Sequence, residues 1–139
     1  MSEQECKVCP QMQGFFQQMT QFTQPKPEQK LECPLDASEL GHAGWAFLHT
    51  MAAYFPEQPT PEERVGMHSF LELWSRFYPC TSCGSHMASD LVLDPPDTSS
   101  GSNLSQWLCR LHNKVNVRTG KPEFDCSVVD QRWKFNDKC

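Results

Sequence analysis

Apolar residues recur every three to four positions along most of the chain after residue 33, which is the spacing of an amphipathic α-helix. The first such segment begins at a capping-box pair, Asp36 and Glu39, and ends before Pro56. The second begins at Thr60, with a proline in the first helical position, and ends before Pro79. The expected buried positions are Leu40, Gly44, Phe47, Leu48, Met51 and Phe55 in the first helix and Val65, Phe70, Leu71, Trp74 and Phe77 in the second.

Two more helices are predicted in the second half of the chain. The third begins at Cys80 and runs to about Val92, and the segment 94–103 that follows is a loop by its content of proline, serine and aspartate. The fourth begins near Asn103 and stops at Gly120, a residue type common at helix C-termini. Its apolar stripe consists of Leu104, Trp107, Leu108, Leu111 and Val115.

A short stretch near the C-terminus completes the pattern. Residues 127–133 can form one further turn or short helix, and no segment shows the alternation of a strand or the turn chemistry of a hairpin. The prediction is therefore an all-α domain, built as a four-helix bundle with a short fifth helix.

The first part of the chain has a different composition. Residues 1–32 contain eight glutamines and the segment QPKPEQK, with two prolines and alternating charge. Such a sequence cannot bury enough apolar area to offset the entropy of ordering it. We therefore expect a flexible arm over residues 1–32, followed by a helical domain over residues 33–139. The arm carries a Cys-x-x-Cys motif of its own, Cys6 and Cys9.

Charge and hydropathy exclude several classes of protein. The net charge of −5 argues against a nucleic-acid partner. Every apolar stretch is interrupted well before the ~18 residues that a membrane span requires. The first residues, MSEQECKVC, have neither a basic n-region nor an apolar h-region, so we expect no ordinary secretory signal.

The cysteine content points to an oxidising compartment. The eight cysteines lie at positions 6, 9, 33, 80, 83, 109, 126 and 139. An even number indicates pairing, and stable pairing requires an oxidising environment. The paired cysteines and the absence of a secretory signal are reconciled by a compartment that oxidises proteins which reach it without such a signal.

Cys80 and Cys83 allow three interpretations. A position in the first turn of a helix favours the thiolate form of Cys80 and therefore disulfide exchange, so redox chemistry ranks first. A zinc site ranks second, because Cys109 and His112 could supply further ligands from another helix. A structural disulfide ranks third, because so short a loop constrains the unfolded chain little.

The other cysteines can form structural bridges. A disulfide between Cys109 and Cys126 would close a loop of about 18 residues and contribute roughly 3 kcal/mol in the chain-entropy model. Cys33 and Cys139 lie at the two ends of the helical domain, where either an intramolecular or an intermolecular bridge is plausible. In a homodimer, a reciprocal pair of such bridges would join the two subunits twice.

Three segments resemble one known family. They are ELGHAGWAFLHTMAAYFP at 39–56, FYPCTSC at 77–83, and WLCRLHNKVNVRTGKPEFDCS at 107–127. In this order, over about 100 residues, they are similar to the motifs of the Erv/ALR sulfhydryl oxidases, which are small flavoproteins. The resemblance implies a helical bundle that holds FAD at its mouth and favours electron transfer for the Cys80–Cys83 pair.

The resemblance also implies roles for individual residues. Cys83 would lie next to the flavin, Cys80 would be the sulfur that an incoming thiolate attacks, and Cys6 with Cys9 would shuttle electrons from the arm. Alone, a tryptophan, histidine or asparagine here would be an ordinary core or surface residue, but the spacing of the set fits a ligand face. The expected cofactor-binding residues are Gly41, His42, Gly44, Trp45, His49, Tyr54, Cys109, His112, Asn113, Val115, Asn116, Lys121 and Trp133. Of these, His42 stands where relatives often have arginine.

The function expected from the resemblance is an FAD-dependent thiol oxidase that makes protein disulfides. Electrons would pass from a protein dithiol through Cys6/Cys9 and Cys80/Cys83 to FAD, and then to oxygen or cytochrome c. The resemblance further implies a homodimer in the mitochondrial intermembrane space, with the import oxidoreductase of that compartment as direct partner. The alternative is a zinc-stabilised helical module that binds other proteins and uses Cys80, Cys83 and Cys109 with a histidine.

Overall fold

A computed structural model describes residues 33–135 and residue 137. The described chain forms helices α1 (Ala37–Ala53), α2 (Pro61–Phe77), α3 (Thr81–Leu93) and α4 (Gly101–Arg118), then a 3₁₀ turn (Cys126–Val128) and the short helix α5 (Val129–Trp133). This part of the chain contains no strand. The predicted all-α fold is confirmed. The predicted arm, including Cys6 and Cys9, and the terminal Cys139 lie outside the described residues.

Local capping groups start the first two helices where the sequence predicts them. The Asp36 carboxylate accepts hydrogen bonds from the backbone N–H groups of Ser38 and Glu39, and the Glu39 carboxylate accepts one from the Asp36 N–H. Thr60 and Glu63 form the same reciprocal arrangement at α2. These capping boxes satisfy backbone donors that a helix start leaves unpaired.

Helix α4 begins two residues earlier than predicted, at Gly101 rather than near Asn103. Its N-cap is Ser100, whose hydroxyl accepts a hydrogen bond from the Asn103 N–H at 3.1 Å. The cap lies inside the serine-rich run that composition assigns to a loop, and composition alone cannot tell a capping serine from its neighbours.

The core lies where the four long helices meet. Helix α1 packs mainly on α4, and α2 packs mainly on α3. The largest fully buried side chains include Trp107 and Leu71, and the Trp107 indole N–H donates to the Asp94 carbonyl at 2.9 Å. The remaining buried members of the core are Leu48, Ala52, Leu91, Leu104, Leu108 and Leu111.

Three positions predicted to be buried are exposed instead. Phe47, Val65 and Phe77 are 54 %, 67 % and 72 % exposed. In α2 only Leu71 of the predicted stripe is fully buried, while Phe70 and Trp74 are partly buried and pack against the core. Helical periodicity defines the direction of an apolar stripe, but the neighbouring helices decide how much of its width they cover.

The approach of α3 to α2 depends on a glycine. A Cβ atom at Gly84 would clash with the backbone carbonyl oxygen of Ser75. The absence of a side chain therefore lets the start of α3 lie directly against α2.

None of the described helices is both long enough and apolar enough to span a membrane.

Candidate active site

A cavity of about 470 Å³ opens at one end of the bundle. All four long helices contribute side chains to its wall, and the segment after α4 closes one edge. The predicted cofactor-binding residues that line it are Gly41, His42, Gly44, Trp45, Val115, Asn116 and Lys121. The structure thus brings seven of the thirteen predicted positions to one cavity.

The wall of this cavity is basic, although the chain as a whole carries a net charge of −5. His42, His86, Arg118 and Lys121 line it, and none of its described lining residues is an aspartate or glutamate. Arg118 donates to the carboxylate of Asp90 on α3, so its charge is partly neutralised. Such a cavity favours an anionic ligand.

The cysteine pair of the Cys-x-x-Cys motif lies at one side of the cavity. Cys80 is the N-cap residue of α3, and a disulfide joins it to Cys83. Only Cys83 lines the cavity, while Cys80 lies outside the lining. The two residues therefore have different surroundings: Cys83 borders the cavity, whereas Cys80 is half-buried at the head of α3.

Aromatic rings from three helices form a continuous column beside the cavity. The Trp45 ring stacks on His112 with centroids 4.0 Å apart, and His49 stacks on Trp133 at 4.7 Å. Between the two stacks, His49 Nε2 lies 2.9 Å from His112 Nδ1, which is hydrogen-bonding distance. The Arg132 guanidinium covers the outer face of Trp133 at 4.1 Å. Helices α1, α4 and α5 are joined through these rings.

Both histidines of the column are neutral at neutral pH. Burial, with smaller contributions from the neighbouring His112 and Arg132, lowers the pKa of His49 to about 3. Burial also lowers the pKa of His112 to about 4, with contributions from Lys121 and His42. A single proton therefore lies between His49 Nε2 and His112 Nδ1.

The far nitrogen of His49 is an unsatisfied polar atom. Nδ1 of His49 is buried and has no hydrogen-bond partner among the described residues. A buried ring nitrogen without a partner is costly unless a bound group or water satisfies it. This atom leaves room for a water or a polar ligand group beside the column.

Asn113 holds the segment after α4 instead of lining the cavity. Its amide N–H donates to the Phe124 carbonyl at 2.9 Å, and its amide oxygen accepts from the Phe124 N–H at 2.8 Å. The Asn116 carbonyl accepts a bond from the Lys121 N–H at 2.8 Å. The two asparagines thus return the chain over the end of α4 and bring Lys121 to the cavity edge.

A disulfide between Cys109 and Cys126 fixes the same segment from its other end. Cys109 is 1 % exposed in the core, and the Gln106 side chain donates to the Cys126 carbonyl at 2.9 Å. Cys33 is exposed and free, and its predicted pairing with Cys139 stays a prediction. Cys109 therefore stands away from the cavity wall and acts on it through the segment it anchors.

Tyr54 also lies away from the cavity. It is the C-cap residue of α1, is 58 % exposed, and its hydroxyl accepts a hydrogen bond from the Phe135 N–H at 3.1 Å. It ties the chain that follows α5 to the end of α1.

Sequence reasoning missed ten of the lining residues, among them the basic Arg118 of α4 and four large side chains from α2 and α3. Trp74 and Tyr78 come from the end of α2, and His86 and Met87 come from α3. His86 could have been found from its position three residues after Cys83, which places both on one face of a helix. Trp74 and Tyr78 depend on the orientation of α2 against α1, for which the sequence carries no local indication.

The larger cavity of the described chain, about 620 Å³, is a poorer candidate. It lies in the groove between α2 and α3, where His68, Glu72 and Arg76 form one wall. None of the bonded cysteines lines it, and it lies apart from the column of rings. The smaller cavity, which Cys83 and Trp45 line, is therefore the candidate active site.

The arrangement does not suit a zinc site. No group of three or more histidine, cysteine, aspartate or glutamate side chains in the described residues could hold a metal ion. The zinc alternative needs the thiolate of Cys109, and that sulfur is bonded to Cys126. Zinc requires deprotonated, unbonded sulfur ligands.

The described residues define a small helical domain in which a Cys-x-x-Cys disulfide borders a basic, ring-lined cavity. The chain belongs to the Erv1 / Alr family, whose model matches residues 42–134. The resemblance inferred from the three motifs is confirmed.

Named relatives support this assignment. The FAD-linked sulfhydryl oxidase ERV1 of Arabidopsis thaliana is 42 % identical over 100 residues, which cover 72 % of this chain and 52 % of the relative. The mitochondrial FAD-linked sulfhydryl oxidase erv1 of Schizosaccharomyces pombe is 45 % identical over 103 residues, covering 70 % and 54 %. The chain spans about half the length of the curated relatives it matches.

Two solved structures share the fold. The yeast Erv1 core superposes with a TM-score of 0.75 at 36 % identity, covering 81 % of this chain and 94 % of the other. The FAD binding domain of Erv1 from Saccharomyces cerevisiae superposes with a TM-score of 0.71 at 38 % identity, covering 73 % and 96 %.

Proposed function

We propose that this protein is an FAD-dependent thiol oxidase that introduces disulfides into protein substrates. The observation that carries the proposal is the position of Cys83, which is bonded to Cys80 in the Cys-x-x-Cys disulfide and also lines the basic cavity. The relatives named FAD-linked sulfhydryl oxidases and the match to an FAD binding domain support the same conclusion.

The residues of the site fit FAD. The volume of about 470 Å³ lies in the range of cofactor sites, and a wall with basic groups and no carboxylate suits a pyrophosphate. Trp45 brings a flat ring to the cavity wall, and His112, His49 and Trp133 continue the ring column behind it. His49 Nδ1, within that column, has no partner among the described residues. Gly41 leaves open space beside the wall, since a Cβ there would meet nothing within 4 Å.

We assign the holding of FAD to two groups of residues. Those that line the cavity would contact it directly, and the ring column would stack on it. Asn113, Cys109 and Tyr54 would act indirectly, by fixing the segments that carry Lys121 and Trp133. When bound, FAD would accept two electrons from the cysteine pair and deliver them to an acceptor.

The sulfur chemistry follows from the two environments of the pair. A substrate thiolate attacks Cys80 Sγ, the Cys80–Cys83 bond breaks, and Cys83 leaves as a thiolate facing the cavity. The second substrate thiolate then attacks the substrate sulfur of the mixed disulfide, and Cys80 leaves as a thiolate. The substrate gains one disulfide, and the pair at the head of α3 holds its two electrons.

The neutral histidine pair keeps the ring column uncharged during this cycle. The proton shared by His49 Nε2 and His112 Nδ1 fixes both rings in one orientation. Because burial lowers the pKa values of both groups, the site gains no cation at physiological pH. The column therefore supplies stacking surfaces and one free ring nitrogen without adding positive charge.

The wider electron path is part of the proposal. Cys6 and Cys9 would relay electrons from a protein dithiol to Cys80, and the final acceptor would be oxygen or cytochrome c. We further propose a homodimer in the mitochondrial intermembrane space, with the import oxidoreductase as partner. The relatives of Saccharomyces cerevisiae and Schizosaccharomyces pombe that are named mitochondrial support the location.

An absorbance spectrum and an oxygen electrode test the core of the proposal. The purified protein should be yellow, release FAD on denaturation, and consume oxygen when a small dithiol is added. Cys83→Ser should lose turnover while FAD stays bound, and Cys6→Ser should oxidise small dithiols normally but a protein substrate slowly. A folded, colourless protein that cannot be reconstituted with FAD, or full activity in Cys83→Ser, would refute the proposal.

A further inference from the structure

The hydroxyl of Ser82 contacts a reacting sulfur. Ser82 Oγ lies 3.5 Å from Cys80 Sγ, and the Cys83 backbone N–H donates to the same sulfur at 3.4 Å. Because Cys80 is bonded to Cys83, its sulfur carries no proton and can only accept. The Ser82 hydroxyl must therefore be the donor.

These two donors are positioned to hold negative charge. Cys80 is the N-cap of α3, and the first turn of that helix contains no acidic residue that would oppose a thiolate. Hydrogen bonds to an ionised acceptor are stronger than bonds to a neutral one, so both contacts should tighten when the sulfur becomes a thiolate. The hydrogen bond from the Cys83 backbone N–H follows from the helix, whereas the hydrogen bond from the hydroxyl depends on the side chain at position 82.

We propose that Ser82 is a further catalytic residue, whose hydroxyl stabilises the thiolate of Cys80. This inference rests on the proposed thiol–disulfide exchange. It concerns the second exchange step, in which a substrate thiolate attacks the substrate sulfur of the mixed disulfide and the bond to Cys80 breaks. The bonding electrons stay on Cys80 Sγ, where the Ser82 O–H donates to the charge.

The other charged groups near this turn are the same in the parent protein and in any variant at position 82. The cavities on the two sides of the first turn of α3 contain titratable side chains from α1, α2, α3 and α4, and a substitution at position 82 changes none of them. They are His68, Glu72, Arg76 and Tyr78 on one side, and His42, His86, Arg118 and Lys121 on the other.

Three variants of the full chain test the inference. Ser82→Ala removes the hydroxyl, Ser82→Thr keeps it, and Thr81→Val removes an exposed hydroxyl of the same turn that makes no contact with the sulfur. The pKa of Cys80 is measured on reduced protein from the pH dependence of alkylation, read at this residue by mass spectrometry. The second measurement is the equilibrium between the Cys80–Cys83 pair and glutathione at alkaline pH, read on the same peptide.

Ser82→Ala should raise the pKa of Cys80 by about half to one unit, which corresponds to a roughly three- to tenfold change in equilibrium. The equilibrium constant for reducing the pair should fall by a similar factor, because the thiolate loses a donor. Ser82→Thr should restore both values, and Thr81→Val should change neither.

An unchanged pKa and equilibrium in Ser82→Ala would overturn the inference, as would an equal change in Thr81→Val. Both measurements use only the protein thiols and need no flavin or turnover. A protein that bound no FAD but showed the predicted shifts would refute the proposed oxidase function and leave the role of Ser82 supported.

Discussion

The disulfide between Cys109 and Cys126 offers a direct test of how the fold supports the site. It joins the middle of α4 to the 3₁₀ turn that leads into α5, and α5 carries Trp133, whose ring stacks on His49. We predict that replacing both cysteines by alanine destabilises the domain and loosens α5.

The magnitude follows from the loop that the bridge closes. The two cysteines are 17 residues apart, and the chain-entropy model gives about 3 kcal/mol for a loop of this length. The bonds of Asn113 to Phe124 and of Gln106 to the carbonyl at position 126 remain, so the turn keeps part of its placement. We expect a loss of about 2–4 kcal/mol in the free energy of unfolding, a large share of the 5–15 kcal/mol typical of a domain.

Urea unfolding followed by far-ultraviolet circular dichroism measures this loss. The parent and the variant are compared without FAD, after mass spectrometry has confirmed the disulfides of the parent. With a urea dependence of about 2 kcal/mol per molar, the middle of the usual range, the midpoint should fall by roughly 1–2 M. Both proteins carry Cys33→Ser, so that no bridge from Cys33 contributes to the difference. Val117→Ala, at an exposed position of the same helix α4, is the matched control, and its effect should stay within about 0.5 kcal/mol.

A double variant as stable as the parent, within about 0.5 kcal/mol, would contradict the reasoning. It would mean that the hydrogen bonds of Asn113 and Gln106 hold the segment without help from the bridge. An equal loss in Val117→Ala would also contradict it, since that residue closes no loop.

Three further predictions concern stability. The free energy of unfolding should fall as the pH is lowered from about 7 towards 4, because burial holds the pKa of His49 at about 3 while the unfolded histidine titrates near 6.5. His49→Gln should reduce the slope near pH 5 by up to about 1.4 kcal/mol per pH unit, and an unchanged slope would contradict the assignment. Arg118→Met should cost about 1–3 kcal/mol in urea unfolding because it leaves the buried Asp90 unpaired, whereas adding Asp90→Leu should recover most of that loss. Gly66→Ala lies inside α2, where the new Cβ has no atom within 4 Å. It should add roughly 0.5–1 kcal/mol to the free energy of unfolding and so raise the thermal midpoint, and a lower midpoint would refute the prediction.

The helices could be predicted from the sequence because their determinants are local. Asp36 with Glu39, and Thr60 with Glu63, lie three residues apart, so the capping bonds depend on nothing else in the fold. The start of α4 was missed because its cap is one serine among several. The exposure of Phe47 was missed for another reason: its ring stacks on Trp74 at the outside of the bundle, where no other helix of the described chain covers it.

The part of the site on α1 could also be predicted, because Gly41, Trp45 and His49 recur every four residues and must share a face. Which face meets the cavity, and what meets it from α2, depends on tertiary packing. Trp74 and Tyr78 enter the wall for this reason, and no spacing within α2 indicates it. The side-chain direction of Asn113 depends on the segment after α4, which folds back over that helix.

The site lies where two pairs of helices meet. The rings come from α1, α4 and α5, whereas the sulfur pair comes from the start of α3, which packs on α2. The distance between rings and sulfur is therefore set by contacts between the pairs, and the Arg118 guanidinium on α4 bonded to Asp90 on α3 is such a contact beside the cavity. Because the Asp90 side chain is 9 % exposed, that ion pair is shielded from solvent on the α3 side. Breaking it should alter the cysteine pair and the cavity together, although neither Cys80 nor Cys83 is changed.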